Sequence, residues 1–382
     1  MVKEIIGKPY AKAYDMLVAY YAHNRLSKIL KGKQLPDVKP SIEKEYKELW
    51  KSLGITPSSR FLKCVIGISG IESPLYVPEY INFRRIEPTL NYTLFAPPYN
   101  DKNFFERYLP EYCDLFPKVY LRGANGSFYN GEYVGLTLAE AQNILTNLDP
   151  EREYILKPAT QTGAGKNVVL LTVRKDKILL DGRAVSVRAL LERLRKGNYH
   201  NFVLQERLRQ SDWFGHVCSG ATNIIRVYTY RSVNTNETHI LHSYFRYAGK
   251  KEEFQHYLVH GGWRQGINPE GMLDDFAMDY FGNKISATEH ADYYKDSKVP
   301  HYDKIVEIAK EVSSKYIYHR LLGFDIVVDE SEKVRLLEIN TSEIGMLHHQ
   351  MISGPLFGEH THEVIDYCRH NRKSPFVHLY YK

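Results

Sequence analysis

The chain has 382 residues, 43% hydrophobic and 25% charged, with a formal net charge of +6 from 51 basic and 45 acidic side chains. It exceeds the usual single-domain length of roughly 100–200 residues, so more than one core is expected, and its composition excludes a disordered chain, a collagen-like repeat and a membrane bundle. The charge suits anionic small molecules at a local site and falls short of the basic stripe of a nucleic-acid binder, so no nucleic-acid partner is expected.

No apolar run approaches the ~20 residues needed to cross a bilayer. Lys3, Glu4, Lys8 and Lys12 interrupt the N-terminus where a signal peptide needs an apolar stretch, which points to the cytoplasm. An apolar rhythm with basic interruptions from Tyr10 to Leu30 reads as a helix, and Ser41 as the cap of a second over Ile42–Leu53 with Gly54 past its end. Cys64–Ile68 and Leu75–Val77 read as short strands among Gly and Pro, and Asp101–Leu109 as a helix ended by Pro110. Thr137 and Glu140 have capping-box spacing for a helix to about Leu148. Strands follow at Tyr154–Lys157 and Asn167–Val173, joined as a hairpin by the Gly163-Ala-Gly165 turn. Ser186 caps a basic helix, Phe202–Gln205 and Ala221–Arg231 are strand-like, and Asp303 begins a helix through Leu321 that leads into strands Gly323–Val328 and Val334–Asn340. The class is mixed α/β or α+β. Cys64, Cys113, Cys218 and Cys368 lie far apart with no C-x-x-C pair, and read as reduced and mostly buried. The 30 tyrosines read as amphipathic filler of cores and surfaces, although such rings also stack on sugars.

The most informative segment runs from Gly323 to Asn340. A turn centred between Ser331 and Glu332 sets Asp325 opposite Glu338, and Asn340, two residues on, shares that face. Opposed side chains have Cβ atoms ~4.5–5.5 Å apart, so the two carboxylates repel unless positive charge lies between them. Asp, Glu and Asn offer hard oxygen ligands suited to Mg²⁺ or Mn²⁺; the alternative is that one carboxylate pairs with an Arg or Lys and the other is solvated. Upstream, Lys157-Pro158 ends a strand before Thr162-Gly163-Ala-Gly165-Lys166, a small-residue turn that lets amides and lysines approach phosphate, although it is neither a Walker A loop nor G-x-G-x-x-G. A phosphate cradle with a divalent-metal hairpin suits phosphoryl transfer from ATP.

With those residues, the chain from about Tyr80 to the C-terminus resembles the ATP-grasp superfamily, most closely its sugar-transfer-associated branch. The resemblance implies an α+β or mixed α/β ATP-grasp fold that clasps the nucleotide between two α+β subdomains beside a helical N-terminal region. The regions would be 1–115 (helical, preceding the grasp), 116–208 (nucleotide-clasping) and 209–382 (C-terminal, with the metal site). By this likeness Lys102 belongs to the early lysine segment and Lys157 to the second lysine strand. Thr162, Gly163, Gly165 and Lys166 form the glycine loop. Gln205, Glu206 and Leu208 form the hinge at the adenine edge, largely through backbone groups, and Asp212 reaches the ribose. Asp325, Glu338 and Asn340 match the metal ligands.

The implied cofactors are ATP and Mg²⁺ or Mn²⁺. The implied reaction is a carboxylate–amine ligation that releases ADP through an acyl phosphate, with Arg226 and Arg264 steadying its oxygens. Its partners would be a small-molecule or glycan-linked carboxylate and an amine, in polysaccharide or glycoconjugate assembly; the oligomeric state stays open. A kinase that releases a phosphorylated product and an ATP-binding scaffold without turnover are the other readings. His348-His349 follow the metal strand closely and either touch substrate or are structural. His256/His260 and His360/His362 have metal-compatible spacings that 16 histidines produce easily.

Overall fold

The computed structural model describes residues 2–160, 167–174, 177–216, 221–248, 262–286 and 297–371, and the side chains among them except those of 2–12, 14 and 198. Three helices open the chain: α1 (Val2–Ile29), α2 (Pro40–Lys51) and α3 (Ser59–Ser69). Pro40 starts α2 because its missing N–H falls where a helix has no acceptor, which sets the cap at Lys39 rather than Ser41. Cys64–Ile68 lies inside α3 and is not a strand. Ser58 accepts from the Arg60 N–H, Gly70 closes the helix at φ +77°, and an apolar run buried on nearly every side fits a core helix as well as a strand. Leu75–Val77 is irregular chain entering a helical turn, and of Asp101–Leu109 only Phe105–Tyr108 is α-helical.

Two antiparallel sheets follow. The eight-stranded one contains β1 (Val119–Ala124), β2 (Ser127–Asn130), β3 (Gly135–Leu136), β4 (Glu153–Pro158), β5 (Val169–Arg174), β6 (Lys177–Leu180), β7 (Arg183–Val185) and β8 (Phe202–Glu206) in the order β3-β2-β1-β8-β4-β5-β6-β7. Helices Leu138–Thr146 and Val187–Leu194 pack on it, the first closed by the Thr137–Glu140 capping box and the second by the Ser186 hydroxyl. The seven-stranded one contains β9 (Ile224–Arg231), β10 (Thr238–Tyr247), β11 (Trp263–Ile267), β12 (Leu273–Met278), β13 (Lys284–Ser286), β14 (Leu321–Val328) and β15 (Val334–Asn340) in the order β13-β12-β11-β10-β9-β14-β15.

Strand alternation gives the seven-stranded sheet two unlike faces. Ile225, Val227, Phe245, Phe324, Ile326 and Ile339 pack with the helix Tyr302–Lys315, while Tyr228, Tyr230 and Tyr244 pack with α1–α3 and the C-terminal helices. The helix Tyr302–Lys315 starts after His301, at φ +57°, and stops six residues before β14; Asp303 lies in its first turn, so neither the Asp303 cap nor a helix reaching Leu321 is found. Between β14 and β15, Val328 pairs with Val334, so the turn centres on Ser331, half a step earlier than the sequence spacing predicts. A bulge at Leu337 restores the register, and Asp325 pairs with Glu338. The Asp329 carboxylate fixes the turn by accepting the N–H groups of Ser331 and Lys333.

Cys64 and Cys368 are buried, reduced thiols, whereas Cys113 is reduced and exposed; Cys218 lies outside the described residues. Among the described residues no helix is long and apolar enough to cross a membrane.

Candidate active site

The site starts from the β14–β15 pair. Asp325 sits between Glu338 on β15 and Arg226 on β9, and the register continues through Tyr244 on β10 to Gly266 on β11. Arg226 grips Asp325 with two parallel hydrogen bonds, the Nη2–Oδ2 one at 2.8 Å. Lys102 reaches Glu338 at 2.8 Å from the other side. Each carboxylate therefore has its own cation, one step beyond the expected alternative in which only one is paired. The Asp325 and Lys102 side chains are only 11% and 7% exposed, against 30% for Glu338, so the pair opens at the Glu338 end.

Burial pushes the Asp325 carboxyl above its usual range, against the pull of Arg226. Burial acts the same way on Glu338, but Lys102 and then Lys157 overcome it and hold this carboxyl below its usual range. Lys157, on β4, is lowered to about 8 by burial and by the like charge of Lys102, partly countered by Glu338 and Asp325. Three cations, Lys102, Lys157 and Arg226, thus meet Asp325 and Glu338 where the two sheets face each other, with Glu106, itself paired to Arg122 at 2.8 Å, beside Lys157 and Arg246 acting on Asp325.

Lys102 reaches Glu338 because the chain on each side is pinned. Asn100 accepts from the Thr341 N–H at 3.0 Å and donates to Ser342 Oγ at 2.7 Å. Asn91 donates to the Leu321 and Thr341 carbonyls, fixing the β14 start to the β15 exit. Glu87, raised to about 7 by burial, accepts from the Glu343 and Ile344 N–H groups. The Lys102 N–H donates to the Ala159 carbonyl just past β4, which sets Lys102 beside Lys157. Sequence reading missed these clamps; short polar residues far apart in the chain carry no periodic signal.

Lys102, Lys157, Gln205 and Leu337 line one narrow cleft with Glu106 and Phe116. Gln205 lies on β8, a central strand whose ladders run to β1 and β4. The N–H groups of Glu206 and Arg207 donate to the Lys118 and Glu153 carbonyls, so these two donors are taken up within the protein. The Glu206 carboxylate braces the sheets by accepting from Lys118 N–H and pairing with Arg335 of β15 at 3.1 Å. Leu208 is buried in the core under the seven-stranded sheet, and Asp212 is exposed in the first turn of a four-residue helix. Thr162, Gly163, Gly165 and Lys166 lie outside the described residues, as do His256 and His260.

Arg264, on β11, is not brought onto Asp325. It is 6% exposed, two strands from Arg226 on the same face, with its guanidinium 5.7 Å from the Tyr280 ring centre. His349 is fully buried against the Tyr228 ring at 3.9 Å, and His348 is held between Arg25 (2.9 Å) and the Tyr280 carbonyl (2.8 Å), so both are structural in this arrangement. His360 lies 3.6 Å from Glu363 and stacks near His239. Among the described residues no three His, Cys, Asp or Glu side chains form a metal-holding group, so the His360/His362 spacing builds no such site there.

The Asp325, Glu338 and Asn340 set fits a hard divalent cation on its chemistry. Two carboxylates directly opposed and an amide at the next position on the same face supply oxygen ligands only. Asn340 donates its Nδ2 to the Gly323 carbonyl at 3.4 Å, leaving Oδ1 as the ligand-type atom.

A family model described as sugar-transfer associated ATP-grasp matches residues 83–364. No curated protein matches the chain. Similar solved structures include N5-carboxyaminoimidazole synthetase from Staphylococcus aureus complexed with ADP, at 11% identity and TM-score 0.37, covering 66% of this chain and 47% of that one. D-alanyl-alanine synthetase A from Vibrio cholerae is similar at 12% identity and TM-score 0.39, covering 71% and 65%. Biotin carboxylase from Campylobacter jejuni is similar at 11% identity and TM-score 0.40, covering 75% and 49%. The chain thus spans about half to two thirds of the length of these proteins. With well over half of its residues matched by the family model, and with two antiparallel sheets facing across a charged cleft, this chain belongs to the sugar-transfer associated ATP-grasp family.

Proposed function

We propose that the protein is an ADP-forming carboxylate–amine ligase. The observation that carries this reading is the surplus cation: Arg226 and Lys102 already neutralise Asp325 and Glu338, yet Lys157 is held beside them at the cost of a depressed pKa. A purely structural ion-pair network needs no further cation beside two matched pairs, whereas a polyphosphate tail does.

In this reading Lys102 and Lys157 bind phosphate oxygens, joined by the loop of Thr162, Gly163, Gly165 and Lys166. Gln205, Glu206, Leu208 and Asp212 border the nucleoside, residues 116–208 being the clasping subdomain. Asp325, Glu338 and Asn340 would hold Mg²⁺ or Mn²⁺, which supplies charge neutralisation on the phosphates when bound. Arg226, anchored by Asp325, orients the acid. A carboxylate oxygen of the acid bonds to the γ-phosphorus as the bond to the β-phosphate oxygen breaks, giving an acyl phosphate and ADP. An amine nitrogen then bonds to the acyl carbon, and inorganic phosphate leaves with the acid's oxygen as the nitrogen loses its proton. Positioning and fixed charge do the catalytic work, with no side-chain nucleophile.

The family description favours an acid or amine from glycoconjugate or polysaccharide assembly, and the need for ATP favours the cytoplasm as the compartment. The test is ADP release across a panel of uronic and amino acids paired with amines, with products identified by mass. We expect ADP only with acid, amine and Mg²⁺ together, an amide product, and a ~10²–10³-fold fall in kcat for Glu338→Gln. A stable phosphorylated product would make the protein a kinase, tight Mg-ATP binding with no ADP under any acid would make it a scaffold, and full turnover by Glu338→Gln would remove the metal role.

A further inference from the structure

A chamber of about 590 Å³ lies between α1, the turn after β12 and the chain after β15, with Tyr20, Tyr21, Lys28, Phe83, Tyr280 and Glu343 in its lining. It connects to both arginines of the site, to Arg264 through one residue and to Arg226 through two. Tyr280 faces the Arg264 guanidinium at 5.7 Å. Gly345, also in the lining, accepts the Tyr228 hydroxyl at 2.8 Å, and the Tyr228 ring lies 5.9 Å from the Arg226 guanidinium.

The wall formed by α1 is anchored. Arg25 pairs with buried Glu79 and donates from Nη2 to His348 Nδ1 at 2.9 Å, while His348 Nε2 lies 2.8 Å from the Tyr280 carbonyl. A guanidinium only donates and a carbonyl only accepts, so His348 is locked as the neutral tautomer with its proton on Nε2. Burial, with Arg264 and Arg25 nearby, holds it in that form. This relay ties α1 to the chain following β12, and Arg84 pairing with Asp15 adds a second tie. On the same helix Met16, Leu17, Tyr20 and Tyr21 are 58–67% exposed at i, i+1, i+4 and i+5 spacing. An apolar strip left in water at the mouth of a chamber is the kind of surface that a ligand covers.

We propose that this chamber receives the body of the acid substrate, a carboxylate carried on a six-membered ring, with α1 as the specificity-determining wall. Resting on the ligase reading, the proposal adds the substrate class and the element that selects it. Four aromatic rings favour a ring that offers a stacking face, aromatic or sugar, over an acyclic chain. Glu79 pairs with Arg25 and Glu343 balances Lys28, so the lining is near neutral and suits the uncharged body of the acid, whose carboxylate is left to the cations of the cleft. The volume lies within the roughly 300–1,000 Å³ of sites for larger small molecules, beyond what a two- or three-carbon acid fills. The α1 residues precede residue 83, where the family match begins, so this wall belongs to the part of the chain that the family model does not describe.

A uronic acid and an aromatic acid share this chemistry, and the experiment separates them. Binding of glucuronic acid, of an aromatic carboxylate and of acetate is measured by calorimetry on the full chain with Mg-ADP present, for wild type and for Tyr20→Ser/Tyr21→Ser. Both tyrosines are exposed, so the variant keeps its core, and its melting temperature checks this. We expect at least one ring acid to bind more tightly than acetate, and the double variant to weaken it at least tenfold while the affinity for Mg-ADP changes less than twofold. Unchanged ring-acid affinity in the variant, or no preference over acetate in wild type, overturns the proposal. So does capture of anionic lipid vesicles that the variant loses without any acid binding, which would make α1 a membrane face. If ring acids bind and the variant loses them, yet no acid ever yields ADP, the chamber stands and the ligase reading falls.

Discussion

The two faces of the seven-stranded sheet are built from alternate residues of the same strands and meet opposite fates. On one, Ile225, Val227, Phe324 and Ile326 lose all contact with water against the helix Tyr302–Lys315. On the other, Arg226 and Asp325 face the cleft, where charge is held in a half-dry setting by other charge, while Tyr228 is buried beneath α1–α3. The apolar face supplies stability without chemistry. The polar face carries the chemistry and is stable only while its cations and anions stay matched, because an unpaired buried charge costs far more than a paired one gains.

Separating the faces by substitution sharpens this contrast. Phe324→Ala removes a fully buried ring, and should lower unfolding free energy by ~3–5 kcal/mol in urea titration while leaving nucleotide affinity within a few-fold; a large loss of affinity would break the separation. Arg226→Met should cost ~3–5 kcal/mol by stranding Asp325, and adding Asp325→Asn should recover more than half of it. Equal stability of single and double variants would mean that the pair is not coupled.

The smallest effect is a pH response of Lys157. Its folded pKa of about 8 lies below its ordinary 10.5, so the unfolded chain holds more protons between those values. Stability of the nucleotide-free protein should therefore rise with pH across that window, while Mg-ATP affinity falls as the lysine discharges, by up to ~10-fold from pH 7 to 9. Both curves sloping the same way would contradict the assigned environment.

How much of this was legible in the sequence follows from the range of each interaction. The Asp325–Glu338 pairing could be read because strand alternation is local, although the turn sits half a step away and a bulge makes up the difference. The Thr137–Glu140 cap was equally local. The Cys64–Ile68 part of α3 was misread as strand because a short apolar run carries no usable period once buried on nearly every side. The Lys102–Glu338 contact joins residues 236 positions apart through clamps at Asn91, Asn100 and Glu87, and nothing in their spacing announces it. The same holds for the Arg25–His348–Tyr280 relay, so of the two roles left open for His348 the structure shows the brace.

The most direct test follows an oxygen atom. An accepted acid labelled with ¹⁸O in its carboxylate is turned over with Mg-ATP and amine, and the inorganic phosphate is analysed by mass. Attack of the carboxylate on the γ-phosphorus puts one labelled oxygen into each phosphate released. ADP formed with unlabelled phosphate would mean that water, rather than the acid, is phosphorylated, and would contradict the account.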